Sequence, residues 1–369
     1  MVPLFLPRGA EKELAKLRRA HDEGLTTLLK PLEALTKDER AAINADGAAA
    51  AIAKAWEANQ QTLANVLPNS PPATLELPSS SKTSSDNTST PNTPKSVASY
   101  ESAAQILAHL ARDWSRAGDA ARRRTYAPVL RALRRERRKL RVLVPGAGLS
   151  RLAYEIARLG HHVEAADVSV GMAVASHAVI SGSLPAGLRV HPHVGCESGV
   201  LDRRACLQSN VLETPRPPPT LTLRTAAFGD ATATFDAVVT SYFLDTLDDA
   251  AAAVRAVART LAPGGVWVNV GPLQWHRPTG LRLTFDELRS LIAQSGLDVG
   301  RSTRVLRRVP YLASPRALAS GNEHDCVFFV ARAPAIVRNR TWGGFGVRRL
   351  VVIEKLPRII SKATSYHVL

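Results

Sequence analysis

The chain has 369 residues, with 48 Lys and Arg against 32 Asp and Glu and a formal charge of +16. At 45% hydrophobic and 22% charged residues the composition is that of a globular protein, which excludes a wholly disordered or collagen-like chain. No apolar run approaches the ~18 residues of a membrane span, and Met1 to Pro7 is too short for the apolar part of a signal peptide. Cys196, Cys206 and Cys326 form no C-x-x-C pair, so neither a disulfide framework nor a metal site is expected, and a reduced compartment follows: cytoplasm, with the nucleus admitted.

Residues 1–68 are rich in Ala, Glu, Lys and Leu. Leu14, Leu17, Leu25, Leu28, Leu29, Leu32 and Leu35 recur at roughly helical spacing, which predicts two or three amphipathic helices. Residues 69–98 are a Ser/Thr/Pro/Asn-rich linker with too few apolar groups to offset the entropy of ordering. A helical lead-in over 99–140 follows, with helices expected from Ser99 to Leu110 and from Tyr126 to Arg138. The second carries much of the excess charge, including Arg122, Arg123, Arg124, Arg131, Arg134 and Arg135. Few aromatics interleave with these arginines, so a solvated face is expected rather than a nucleic-acid module.

Over 141–334 strand-like and helix-like segments alternate. Strands are expected at Arg141–Val144, His162–Ala166, Phe235–Thr240, Val266–Val270 and Cys326–Arg332. Helices are expected at Arg151–Leu159, Gly171–Ile180, Ala250–Leu261 and Thr284–Ser295. Such alternation predicts an α/β fold of Rossmann type, a mostly parallel sheet flanked by helices, here with an N-terminal helical extension. Its ligands should bind beyond the carboxyl ends of the strands. Residues 335–369 form a basic extension for which the sequence predicts no single structure.

The first strand runs into Gly146-Ala147-Gly148-Leu149-Ser150, a glycine turn that lets the backbone approach a ligand closely. Asp167 lies nineteen residues beyond Gly148 at the end of the next strand, where an acid can accept hydrogen bonds from ribose hydroxyls. These two features suit a nicotinamide dinucleotide or S-adenosylmethionine equally. Leu261-Ala262-Pro263-Gly264-Gly265, and Gly229-Asp230 ahead of the Phe235 strand, resemble class I methyltransferases and favour the methyl donor.

Arg112-Asp113-Trp114-Ser115, the Val142–Ala157 segment, Phe243-Leu244-Asp245-Thr246, and Trp267–Leu273 with His276 together resemble the carnosine N-methyltransferase family, over roughly Gln105 to Pro334. The resemblance implies methyl transfer from S-adenosylmethionine, without a metal, to the imidazole of carnosine, a small histidine-containing dipeptide. It implies donor contacts from Arg112, Gly146, Gly148, Asp167, Asp230, Ala231 and Ser241, and substrate contacts from Asp245 and His276. Neither nucleic acid nor membrane is an expected partner; a homodimer is left open. Two segments depart from the family, as does Ser241, which stands where a cysteine is common. Ala165-Ala166-Asp167 stands for Gly-Asn-Glu, and His324 stands for a tyrosine that contacts substrate. These departures keep open another histidine-containing peptide or protein as acceptor, and the basic helix and tail keep open a non-catalytic donor-binding scaffold with a basic partner-binding surface. Asp245 could also be a helix N-cap before Ala250, and Tyr242 and Trp275 either pack against the substrate ring or fill the core.

Overall fold

A computed structural model describes residues 2–69, 102–195, 203–229, 233–276, 280–301, 303–311 and 323–335, and the backbone of 75–76. The expected linker, apart from Asn69 and residues 75–76, the basic extension after Ala335, and the donor-site candidates Asp230 and Ala231 lie outside the described residues. The strands are β1 (Leu4–Leu6), β2 (Leu75–Glu76), β3 (Arg141–Pro145), β4 (His162–Asp167), β5 (Arg189–Val190), β6 (Asn210–Val211), β7 (Leu221–Thr225), β8 (Phe235–Ser241), β9 (Leu261–Gly271), β10 (Asp298–Val299), β11 (Arg304–Pro310) and β12 (Glu323–Arg332). The helices are α1 (Ala10–Asp22), α2 (Gly24–Glu33), α3 (Lys37–Ala42), α4 (Ala45–Val66), α5 (Ala103–Trp114), α6 (Asp119–Arg134), α7 (Arg151–Arg158), α8 (Val170–Ile180), α9 (Arg203–Cys206), α10 (Ala250–Thr260) and α11 (Phe285–Gln294).

The main sheet has the order β10-β12-β9-β8-β3-β4-β7-β1-β2, with β11 paired to β12. From β9 through β2 every pairing is parallel, and β12 runs antiparallel to β9, β10 and β11. The period-two alternation of strand side chains sorts the core onto two faces. Val142, Val144, Ala237, Val239, Val268 and Val270 face one cluster with Ile106, Leu110 and Ile156. Leu143, Val238, Trp267 and Phe329 face the other, with Val254 and Val257 of α10 and Leu288 and Ile292 of α11. Helices on both faces explain why these strands read as continuous apolar runs.

The N-terminal region differs from its sequence reading. It holds four helices rather than two or three, and Leu4–Leu6 pairs with β7 as a parallel strand of the main sheet. Three residues carry no legible period, and only the neighbouring strand reveals them. The second lead-in helix starts at Asp119, earlier than Tyr126, with Asp119 favourably placed at its positive end. Arg122 on that helix departs from the expected solvated face. It is 6% exposed and donates to the Arg112 and Ser115 carbonyls and to Asp119 and Glu213, a paired cation inside the fold.

Candidate active site

The strands β3, β4, β8 and β9 end together at the carboxyl edge of the sheet, and the chemistry-bearing residues gather there. After β3 the chain turns through Gly146 at φ +59° and Gly148 at φ +52°, conformations that L side chains adopt at a cost of about 1–2 kcal/mol per residue. A Cβ on Gly146 would lie 2.2 Å from the Phe243 ring, so close approach as well as dihedral angle requires glycine there. Helix α5 is fastened to this turn by the Trp114 indole N–H, which donates to the Leu149 carbonyl at 2.9 Å. That fastening sets Arg112, two residues earlier, into a cleft lined also by Tyr126, Ala147, Gly148, Ser241, Tyr242 and Tyr311.

Arg112 donates through Nε and Nη2 to both carboxylate oxygens of Asp113, at 2.8 and 2.9 Å, and its guanidinium lies 4.6 Å from the centre of the Tyr311 ring. Burial alone would push the Asp113 carboxyl up, but the adjacent guanidinium and its hydrogen bonds hold it below the ordinary carboxylate range. Against the desolvation of burial, the same pairing raises Arg112. His109, one turn before Arg112, is lowered to about 3 by burial and then by the Arg112 charge, so it is a neutral imidazole. Its Nε2 lies 3.2 Å from the Tyr311 hydroxyl, and its buried Nδ1 has no hydrogen-bond partner.

Asp167 sits at the end of β4 as expected, but its carboxylate is committed to the chain. One oxygen accepts the Gly148 N–H at 2.7 Å and the other the Ser169 N–H at 3.0 Å. Burial raises its carboxyl despite those amides. Asp167 is therefore a brace for the glycine turn, and a carboxylate has about four lone-pair sites, enough to accept ligand hydroxyls besides.

Beyond β8 the backbone makes a strained turn. Tyr242 has φ +50°, and its N–H donates to the Val270 carbonyl at 3.0 Å. A Cβ on Gly271 would come within 2.9 Å of that Tyr242 nitrogen, so the end of β9 must be glycine for the two strand ends to meet. Asp245 follows in a single 3₁₀ turn, Leu244–Thr246, and is 1% exposed. The N-cap of α10 is Asp249, which accepts the Ala252 N–H at 2.8 Å, so Asp245 has no capping role.

The Asp245 Oδ2 accepts the Gln274 N–H at 3.1 Å and lies 3.6 Å from His276 Nε2. Burial raises the Asp245 carboxyl, opposed by the Gln274 amide and by the charges of His276 and His324. His324, on β12, makes edge contacts with Tyr242 and Tyr311 at ring separations of 6.1 and 5.6 Å. It is lowered by burial, although Asp245 pulls it up.

Arg112, Gly146, Gly148, Ser241, Asp245, His276 and His324 thus come to one edge of the sheet. Tyr242 belongs to the cleft wall, whereas Trp275 is 6% exposed and donates to the Leu283 carbonyl at 2.8 Å, a core role. Sequence reasoning missed His109 and Tyr311. The first was legible as the residue three before Arg112 on one helical face; the second follows the end of a distant strand and has no local signal.

A parallel sheet closed by an antiparallel strand, with a glycine turn after β3 and an acid ending β4, is the architecture of a class I S-adenosylmethionine-dependent methyltransferase. A profile of the carnosine N-methyltransferase family matches residues 90–335, more than half of the chain. The chain belongs to that family. It is similar to the carnosine N-methyltransferase of Dictyostelium discoideum, with 29% identity over 248 residues covering 61% of this chain and 53% of the relative. The Rattus norvegicus protein of the same description is 26% identical over 264 residues, 65% of each chain. A Schizosaccharomyces pombe relative is 32% identical over 192 residues, 46% of this chain and 51% of its own. The chain therefore matches only about half to two thirds of the length of these curated relatives.

Proposed function

We propose that the chain transfers the methyl group of S-adenosylmethionine to an imidazole nitrogen of carnosine, giving anserine, in the cytoplasm or nucleus. The observation that carries this reading is Asp245, an almost fully buried carboxylate held by the Gln274 amide with the His276 ring 3.6 Å away. When bound, the donor supplies an electrophilic sulfonium methyl.

The chain's own groups do the rest. Imidazole has an ordinary pKa of about 6.5, so at neutral pH most of it already offers a lone pair and no strong base is needed. Asp245 accepts a hydrogen bond from the distal ring N–H, which fixes the tautomer and leaves the proximal nitrogen free. Its negative charge then offsets the positive charge that the ring gains as the new N–C bond forms at the expense of the methyl–sulfur bond, whose electron pair stays on the departing thioether; the ring's remaining N–H proton is afterwards lost to water. His276 and His324 flank this carboxylate and orient the dipeptide, and Tyr242 and Tyr311 supply flat walls.

On the donor side, the Arg112 guanidinium suits a carboxylate, the bare backbone of Gly146 and Gly148 allows close approach, and Asp167 keeps lone pairs for hydroxyls. Ser241 lines the same cleft. Asp230 and Ala231 enter this assignment through the family resemblance alone.

The experiment is incubation with methyl-labelled donor and carnosine. Labelled anserine is the expected product; donor turnover on other acceptors with none on carnosine overturns the substrate assignment. His324 in place of the family's tyrosine favours a second reading, another histidine-containing peptide or protein as acceptor. Under that reading, kcat/KM for the other acceptor exceeds that for carnosine.

A further inference from the structure

A chamber of about 700 Å3 lies between the N-terminal helices and the carboxyl ends of β4 and β7, lined by His21, Trp56, Ala103, Val168, Thr225 and Ala226 among others. This is within the roughly 300–1,000 Å3 of small-molecule sites. The His21 and Trp56 rings stack with centroids 4.3 Å apart and planes 3° from parallel.

Three of its lining residues carry a buried polar atom with no hydrogen-bond partner: His21 Nε2, Trp56 Nε1 and Thr225 Oγ1. Those side chains are 6, 9 and 8% exposed. Buried polar atoms in folded proteins are nearly always paired, so three unpaired ones beside one chamber mark side chains that small turns toward a ligand would satisfy. Val168, the residue after Asp167, leaves 49% of its surface uncovered beside them.

The lining has the chemistry of a flat heterocycle site. Its walls are mostly apolar, with Glu13, Lys16 and Ser102 among them; turned toward a ligand, the indole N–H can donate to a ring nitrogen and the threonine hydroxyl can give or accept. Burial lowers His21, so its imidazole is neutral and can also do either. The position is as telling as the lining. Asp167 on β4 braces the glycine turn at Gly148, and the chamber begins at the very next residue and spans to the end of β7. A ligand with its tail at Arg112 and its hydroxyls at Asp167 would carry its ring there.

We infer that α1 and α4 are part of the donor site, with His21 and Trp56 completing a chamber that takes the adenine ring. Both residues precede the family match, which begins at residue 90. The inference rests on the donor reading above and adds to it a role for the N-terminal helices: the donor joins them to the sheet.

Titration of the full chain with S-adenosylhomocysteine and, separately, with adenosine tests this, alongside hydrogen–deuterium exchange of the unmodified chain. Trp56→Phe keeps an aromatic ring but removes the indole N–H together with part of the surface stacked on His21. It should weaken both ligands by at least roughly threefold, the low end of the worth of one hydrogen bond. Arg112→Lys should weaken S-adenosylhomocysteine and leave adenosine unchanged. In the unmodified chain either ligand should slow exchange in α1 and α4. Binding of S-adenosylhomocysteine with unchanged exchange in both helices and unchanged affinity in Trp56→Phe overturns the inference and leaves the donor reading standing. Adenosine binding with helix protection but no S-adenosylhomocysteine binding keeps the chamber as a nucleoside site and overturns the donor reading; binding of neither overturns both.

Discussion

Asp245 and His276 hold each other twice: the His276 backbone N–H donates to the Asp245 carbonyl at 2.9 Å, and its ring Nε2 lies 3.6 Å from the Asp245 carboxylate. The backbone bond ties the turn after β8 to the segment after β9 into one unit that sets the imidazole beside the carboxylate.

Removing the charge from that unit separates catalysis from stability. Asp245→Asn should lower kcat by roughly 100- to 1,000-fold, the usual cost of losing one positioned charge-stabilising group, with donor affinity unchanged. Burial raises the Asp245 carboxyl above its unfolded value, so its contribution to stability is present at acid pH and lost as pH rises through the folded pKa. At pH 8 the ionised wild-type group therefore opposes folding, and Asp245→Asn should melt no lower than wild type, its advantage shrinking toward acid pH. Thermal melts at several pH values check this; a variant less stable than wild type at pH 8 contradicts it.

The acid side of the kcat/KM profile should reflect two groups that must be unprotonated, the acceptor imidazole near 6.5 and Asp245. Wild type should fall with a limiting slope steeper than one, whereas Asp245→Asn, at its lower rate, should keep only the imidazole limb. Identical slopes in both enzymes would remove Asp245 from the titrating pair.

Asp113→Ala strands the buried Arg112 guanidinium without its two-point partner. Loss of one member of a buried ion pair costs about 3–5 kcal/mol, so urea unfolding should shift strongly and donor affinity should fall with it. An unchanged midpoint would show that Arg112 finds another partner.

The two glycines of the turn should respond differently to alanine. At Gly146 the new Cβ meets the Phe243 ring at 2.2 Å, whereas at Gly148 the nearest atom is His109 Nδ1 at 3.6 Å, an ordinary contact. Both pay for positive φ, about 1–2 kcal/mol, and Gly146→Ala pays for the clash as well. Circular-dichroism melts should therefore rank it well below Gly148→Ala.

Much of this was legible in the chain because the central elements are long and locally consistent. Leu143, Val238 and Trp267 alternate with Val142, Val239 and Val268, and the two sets fill opposite faces of the sheet. Gly146 and Asp167 stood out at the ends of apolar strands, where a parallel sheet places its ligands, whereas Asp245 stood out through the family resemblance. What stayed hidden depends on distant partners. Leu4–Leu6 is a strand only because β7 is beside it, Tyr311 reaches the cleft from β11's far end, and Asp167 had a loop-bracing role that spacing cannot express. His21 and Trp56 are 35 positions apart, and only the fold stacks them.

The most direct test of the central claim is where on the ring the methyl group lands, read by heteronuclear NMR of the product made from carnosine and methyl-labelled donor. With Asp245 holding the distal N–H, the account predicts methylation of the proximal nitrogen alone. A product methylated on the distal nitrogen, or a mixture of both, would contradict it.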